Sequence, residues 1–192
     1  MQKNAPMTEK AMVIARLNAR LQPLDRGALY EDPLDDLLQR GGLGRVTGGG
    51  TMQGETGEID FCDVEIELAE ESERSLGIVR EALERLGAPK GSSLMVDSGV
   101  REIPFGNAEG LAVYLNGTDL PDEVYRDSDV NHVYEEFGRL VDGIGSVHSY
   151  WEGPTETALY LYGTSFDAMR DALSGFLQSY PLCEKARVVQ IA

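Results

Sequence analysis

Hydrophobic and polar residues alternate along the first clearly patterned stretch of the chain. Over residues 15–21, aliphatic side chains fall on one side and Arg16, Asn18 and Arg20 fall on the other. This alternation indicates a half-buried β-strand, because successive side chains in a strand point to opposite faces. Farther along, hydrophobic residues recur at helical spacing over residues 76–86, which predicts a helix with one buried side.

The same pattern predicts the order β-α-β-β-α-β for the first half. A strand over residues 12–21 precedes a helix that begins at Asp32, since aspartate caps helices and Pro33 fits the first helical position. A glycine-rich strand follows, then a strong strand with a bulge near Phe61, a helix capped by Ser72 and a short strand. These four elements are predicted over residues 44–52, 58–68, 72–86 and 93–96, with extended chain over residues 100–105.

The second half repeats this order. A strand over residues 111–115 leads to a helix capped by Asp127 or Ser128, a hairpin, a helix capped by Ser165 and a closing strand. The hairpin strands are predicted over residues 146–151 and 157–162, and the closing strand over residues 187–191. Local details also recur, because Leu17-Asn18 in the first half matches Leu115-Asn116 in the second, and a Tyr-x-Asp segment precedes each first helix.

We therefore predict an α+β protein of tandem duplicated ferredoxin-like (βαββαβ) halves. The halves are residues 11–105 and residues 109–192, after a flexible N-terminal tail over residues 1–10. Each half forms a four-stranded antiparallel sheet with helices on one face, and its first and third strands are central neighbours.

The uncovered sheet faces are predicted to differ. In the first half the face is charged, which is typical of cross-strand pairs in solvent, and it carries Arg16, Asn18, Arg20, Asp63, Glu65 and Glu67. In the second half it is aromatic, and it carries Ala112, Tyr114, Tyr160, Tyr162 and either His148 with Tyr150 or Ser149 with Trp151. The aromatic face either packs between the halves or anchors a protein partner, and both alternatives are open.

Charge narrows the classes of partner. The 192 residues include 33 acids and 17 bases, for a net charge of -16. Nucleic acids and anionic membranes require a basic surface, so neither is an expected partner. A basic protein is expected instead, although acidity also serves solubility. The absence of a long apolar run or a signal-like start, with only two cysteines, favours a cytoplasmic protein.

A polar loop over residues 116–129 holds the densest group of carboxylates. It contains Asp119, Asp122, Glu123, Asp127 and Asp129. The segment from Asp127 to Asn131 resembles the start of a calcium-binding EF-hand loop. His132 and Gly138, however, stand where that loop needs glycine and glutamate. The carboxylates either cap helices or contact basic groups of a partner. The candidate partner-binding residues are these five acids with Tyr125, and Tyr114, Trp151, Tyr160 and Tyr162 of the aromatic face.

No motif predicts catalysis, a metal site or a cofactor. His132 and His148 are the two histidines, and no serine or cysteine lies in an activating motif. Residues 48–51 are glycine-rich but lack the lysine that follows in a phosphate loop, so an edge strand is the better interpretation. The sequence therefore predicts a binding protein and not an enzyme.

The chain resembles small acidic bacterial proteins with duplicated ferredoxin-like halves, which are similar to toxin immunity proteins. The phrases that carry the resemblance are LNGTDLPDEVY (residues 115–125) and SYWEGPTETALY (residues 149–160). The resemblance implies an inhibitor that neutralises a cognate toxin by covering its active site. A second hypothesis is a metabolite-sensing module in which Asn18 and Asn116 orient the ligand, and a third is an enzyme with His132 or His148 as base.

Overall fold

The structure, a computed structural model, describes residues 10–192. The predicted N-terminal tail thus lies outside the described residues, apart from Lys10. The strands are β1 (Ala11–Leu17), β2 (Gly44–Gln53), β3 (Ile59–Leu68), β4 (Ser92–Val96), β5 (Arg101–Phe105), β6 (Glu109–Asn116), β7 (Gly145–Glu152), β8 (Glu156–Gly163) and β9 (Arg187–Gln190). The helices are α1 (Pro23–Arg26), α2 (Asp32–Arg40), α3 (Glu73–Arg85), α4 (Asp122–Asp127), α5 (Val130–Leu140) and α6 (Phe166–Ser179).

The strands form two antiparallel sheets with matching topology. The first sheet has the order β2-β3-β1-β4-β5 and the second has the order β7-β8-β6-β9. The first and third strands of each half are central neighbours, as predicted, and the duplicated ferredoxin-like fold is confirmed. The first sheet has one strand more than predicted, because the extended chain after β4 turns back and pairs with it from Ser92 opposite Phe105 to Val96 opposite Arg101.

The predicted start of the first helix was wrong. Helical structure begins at Pro23, and a π-helical turn over Gly27–Glu31 joins α1 to α2. The Asp32 amide donates to the Gly27 carbonyl, five residues back. A π-turn accommodates the proline that follows it, since Pro33 has no amide and its ring would crowd a regular helix. The predicted loop is therefore part of a continuous helical segment.

The second half also differs from prediction at a helix start. The short helix α4 occupies part of the acidic loop, and α5 is capped by Asp129 and not by Asp127 or Ser128. The predicted caps Ser72 and Ser165 are confirmed, because each hydroxyl accepts a hydrogen bond from an amide in the first turn of its helix.

Hydrophobic packing joins the halves. One core lies inside the second half, between its sheet and helices α5 and α6, and includes Leu111, Phe137 and Leu173. The other core fills the first half and continues across to Tyr160 and Tyr162 of the second sheet. The contact is between the open face of the second sheet and the segment of the first half that follows β1. Both cysteines, Cys62 and Cys183, are buried and free.

The open face of the first sheet keeps only part of its predicted pairing. The Arg16 Nε lies 2.9 Å from the Asp63 carboxylate, across β1 and β3. Glu67 pairs with Lys10 and Arg45 instead. The predicted role of Arg20 on this face was wrong, because β1 ends at Leu17 and Arg20 lies at the contact between the halves.

Candidate functional site

The acidic segment, defined as residues 116–129, is a folded surface feature. Asp119, Asp122, Glu123, Asp127 and Asp129 are all exposed. Helix α4 contains three of them, and Asp122 and Glu123 lie in its first turn, where the helix dipole stabilises negative charge. The structure thus groups the five predicted carboxylates on one exposed segment.

Tyr125 supports this segment from inside. Its hydroxyl accepts a hydrogen bond from the Leu120 amide at 2.9 Å and lies 3.3 Å from the Asn116 carbonyl, to which it donates. From outside, the Lys185 amine donates to the Asp119 carbonyl at 2.7 Å. The tyrosine ring is partly buried, so Tyr125 fixes the shape of the segment.

The five carboxylates differ in how they are engaged. Asp127 pairs with Arg126 at 2.9 Å, and Asp129 accepts the Asn131 amide at 2.8 Å as the cap of α5. Within residues 10–192, Asp122 and Glu123 form no ion pair. Asp119 forms no ion pair there either, but its carboxylate accepts a hydrogen bond from the Asn116 side-chain amide at 3.3 Å. Asp122 and Glu123 are therefore the two side chains most available to an external cation.

The aromatic residues proposed as partner contacts are buried between the halves, which corrects their predicted role. Tyr114, Trp151, Tyr160 and Tyr162 are at most 9% exposed. The Arg20 amide donates to the Tyr162 hydroxyl at 2.8 Å, across the contact. Of the two alternatives for the aromatic face, the structure has packing between the halves, since these side chains belong to the core that continues from the first half.

Glu58 is the polar centre of this contact. Its Oε1 accepts hydrogen bonds from Tyr114 at 2.6 Å and Tyr160 at 2.7 Å, and it also pairs with Arg20. Burial opposes charge on Glu58, but these donors outweigh it and hold the pKa of the carboxyl below its usual 4.5. Burial, together with the bond to Glu58, raises the pKa of Tyr114 to about 12. The cluster is an ionised carboxylate held by neutral phenols.

A groove runs along β7, the edge strand of the second sheet. We define the inter-half groove by Asp25 of α1, Val130, Asn131 and Tyr134 of α5, and residues 148–150, Glu152, Thr157 and Leu159 of the β7–β8 hairpin. Its cavity measures about 350 Å³. Val130, Tyr134 and Tyr150 are 40–47% exposed. The groove adjoins the acidic segment at one point, since Val130 lines the groove and directly follows Asp129, the cap of α5.

A β-bulge places two consecutive residues of β7 toward the first half. Val147 pairs with Leu161 and Ser149 with Tyr160, which leaves His148 without a partner on β8. The Ser149 hydroxyl donates to Asp25 at 2.5 Å, and the His148 ring lies 5.1 Å from that of Tyr162. The two alternatives predicted for the aromatic face were therefore each partly right. Ser149 and Trp151 of one pair lie on this face, and so does His148 of the other pair.

His148 is poorly solvated. Its Nε2 lies 2.9 Å from the Ser146 hydroxyl, and its buried Nδ1 has no partner among the described residues. Burial lowers the pKa of His148 to about 4, against a smaller opposing effect of Asp25. The ring is neutral at pH 7, and it forms no hydrogen bond with Ser149 that would activate a nucleophile.

The structure does not bring Asn18 and Asn116 together. The Asn18 amide donates to the Lys90 carbonyl near the start of β6, whereas Asn116 ends that strand. Six residues of strand separate the two ends by about 20 Å. Asn116 instead accepts the Asp119 amide at 2.7 Å, within the acidic segment. The predicted pairing of these asparagines around a ligand is therefore absent from the structure.

No group of three or more His, Cys, Asp and Glu side chains is arranged to hold a metal ion within residues 10–192. No helix of the same range is long and apolar enough to cross a membrane.

No protein-family model matches the sequence, and neither does any curated protein. Solved structures align over nearly the whole chain with low TM-scores. The first two RRM domains of a yeast poly(U)-binding protein align at 16% identity over 94% of this chain and 99% of theirs, with a TM-score of 0.26. The regulatory subunit of aspartate kinase from Thermus flavus aligns at 12% identity over 88% and 94%, with a TM-score of 0.29. A Fusobacterium nucleatum protein described as a monooxygenase aligns at 9% identity over 95% and 91%, with a TM-score of 0.31.

Proposed function

We propose that this chain is a non-enzymatic inhibitor that binds a basic protein, as an immunity protein neutralises a bacterial toxin in the cytoplasm. The observation that carries the proposal is the exposed acidic segment, with Asp122 and Glu123 free of ion pairs among the described residues. The inter-half groove, which begins at the residue after this segment, adds the exposed side chains of Tyr134 and Tyr150. Occlusion of an active site requires such a charged and partly apolar surface and no catalytic group.

The distribution of charge supports a basic partner. Most arginines of the described chain pair with a carboxylate of the same molecule. The net charge of -16 therefore remains on carboxylates that face solvent. A surface of this sign accelerates encounter with a cationic protein and repels nucleic acid. An interface of ordinary size would bury about 1,600 Å² in total.

The test compares the wild-type chain with a double variant, Asp122→Lys and Glu123→Lys. Both chains serve as bait in extracts of the native cell, and each captured protein is then expressed alone and together with the bait. We expect the captured protein to be basic and to arrest growth alone, and the wild-type chain to restore growth. We also expect the double variant to associate more slowly, with a weaker dependence on salt.

The matched control is Glu55→Lys with Glu81→Lys, which changes the net charge equally at two exposed positions outside the surface. Its association rate should stay close to that of the wild type. Equal association rates for the two double variants would show that the acidic segment has no part in binding. If the captured protein is harmless when expressed alone, the proposal that this chain inhibits a toxin is wrong.

A further inference from the structure

We propose that the inter-half groove is the binding site for one arginine side chain of the partner protein. The inference rests on the proposed function and names the chemistry that the groove recognises. Two carboxylates, Asp25 and Glu152, and two exposed tyrosines, Tyr134 and Tyr150, line the cavity. None of its lining residues is an arginine or lysine, so the negative charge of the groove is not neutralised by its own walls.

The two carboxylates are free to accept a cation. Neither forms an ion pair within residues 10–192. Asp25 is half-buried and accepts one hydrogen bond, from Ser149 at 2.5 Å, which leaves its other oxygen for a ligand. Glu152 is exposed at the end of β7. A cation that enters the groove meets one half-buried, hydrogen-bonded carboxylate and one exposed carboxylate.

The tyrosines supply the second part of the recognition. Tyr134 is 41% exposed and Tyr150 is 47% exposed, although each is large enough to form part of a core. The aromatic faces attract a cation placed above them within about 6 Å. Because both rings are partly exposed, a cationic side chain that enters the groove gains apolar contact with them as well as charge pairing.

The same combination holds arginines inside this molecule. Arg187 lies 4.4 Å above the ring of Tyr114 and pairs with Glu156 at 2.8 Å. Arg16 lies 4.0 Å above the ring of Phe61 and pairs with Asp63 at 2.9 Å. In each case one carboxylate and one aromatic face hold the guanidinium. The inter-half groove offers both groups twice, with no guanidinium of its own.

Arginine fits the groove better than lysine. The planar guanidinium can pair with two carboxylates and lie flat on a tyrosine at the same time, whereas an ammonium is a compact, strongly hydrated charge. The volume of about 350 Å³ is at the lower end for ligand cavities and suits one side chain. We therefore expect the arginine to be an anchor at the centre of the interface.

The test is a titration of the full chain, followed by amide NMR, with Nα-acetyl-arginine amide and with Nα-acetyl-citrulline amide. Citrulline has the shape of arginine without its charge. We expect millimolar arginine derivative to shift the amides of Val130, Asn131, Tyr150 and Glu152, and the citrulline derivative to bind about tenfold more weakly. The variant Glu152→Gln should weaken the arginine derivative several-fold, since it removes a charge from an exposed side chain that has no structural contact.

The matched control is Glu135→Gln, which removes an exposed carboxylate of α5 outside the groove and should leave the affinity unchanged. Three results would each overturn the site: no arginine-induced shifts, equal affinity for citrulline, or shifts scattered over the acidic surface. Because the titration uses no partner, a failed site and a failed inhibitor function are separate results. The double variant at Asp122 and Glu123 can associate more slowly with the partner even if the groove binds no arginine. The groove can likewise bind arginine even if that variant associates at the wild-type rate.

Discussion

At the scale of single residues, Glu58 shows how a polar group stabilises a contact between two hydrophobic surfaces. It enters from the start of β3, and both phenols that donate to it come from the second half. A buried carboxylate is costly unless it is hydrogen-bonded, and here three donors converge on it. Glu58 thereby fixes the position of one half against the other.

Replacement of Glu58 by glutamine should destabilise the protein by about 1–3 kcal/mol, because the amide cannot replace the charged acceptor for all three donors. The wild type should also lose stability as the pH falls through the acid range. Its folded-state pKa is depressed, so the contribution is fully present above the unfolded value near 4.5 and is lost as the pH falls through the lower, folded-state pKa. Urea unfolding at pH 7 and at a series of pH values below 4.5 measures both effects.

The comparison is the difference in unfolding free energy between wild type and Glu58→Gln at each pH. That difference should shrink as the solution becomes more acidic, because protonated glutamate and glutamine are alike. A difference that stays constant with pH would show that Glu58 is not the titrating group.

Residue roles were only partly predictable from the sequence. Alternation placed Tyr114 and Tyr160 on one sheet face, but it cannot say what covers that face. The bulge at His148 brings it to the side occupied by Ser149, and no sequence pattern specifies a bulge in an ordinary polar stretch. The contact of Asp25 with Ser149 joins residues 124 positions apart, which a local pattern cannot indicate.

At the scale of elements, strands and strong caps were predictable and the starts of two helices were not. Ser72 caps α3 as expected, with the reciprocal bond from Ser75 completing a capping box. Before α5, however, three candidate caps stand close together, and the fold uses Asp129, outside the predicted pair. Local chemistry allows several starts there, and tertiary packing decides among them.

Asp129 carries both a structural and a proposed functional role, and two substitutions separate them. Asp129→Asn keeps the capping oxygen, so its stability should match the wild type, whereas Asp129→Ala should lose about 1 kcal/mol. Thermal unfolding followed by circular dichroism measures the difference. If Asp129→Asn is as unstable as Asp129→Ala, the carboxylate charge and not the capping bond stabilises α5.

At the scale of the whole molecule, the duplicated halves use their sheets differently. The first half leaves its charged face open, with Arg16 and Asp63 paired on it. The second half covers its aromatic face with the segment that follows β1. The repeat was predictable because the order of elements recurs in the sequence, but the docking of the halves follows from side chains that meet only in the folded molecule.

Because one core spans both halves, the chain should unfold in a single transition. Trp151 is the only tryptophan and is 9% exposed at the contact, so its fluorescence reports separation of the halves. We expect tryptophan fluorescence and far-ultraviolet circular dichroism to give the same urea midpoint. A fluorescence change that precedes the loss of secondary structure would mean that the halves separate before they unfold.

The covered tyrosines have a consequence for synthesis. A chain made from its N-terminus completes the first half before Tyr114, Tyr160 and Tyr162 leave the ribosome, and domains fold in that order. The aromatic face of the second half can then pack against a first half that has already folded. A gene with the order of the halves exchanged would produce the second half first, with its aromatic sheet face uncovered. Its product should aggregate during translation, although every residue of the native fold is present.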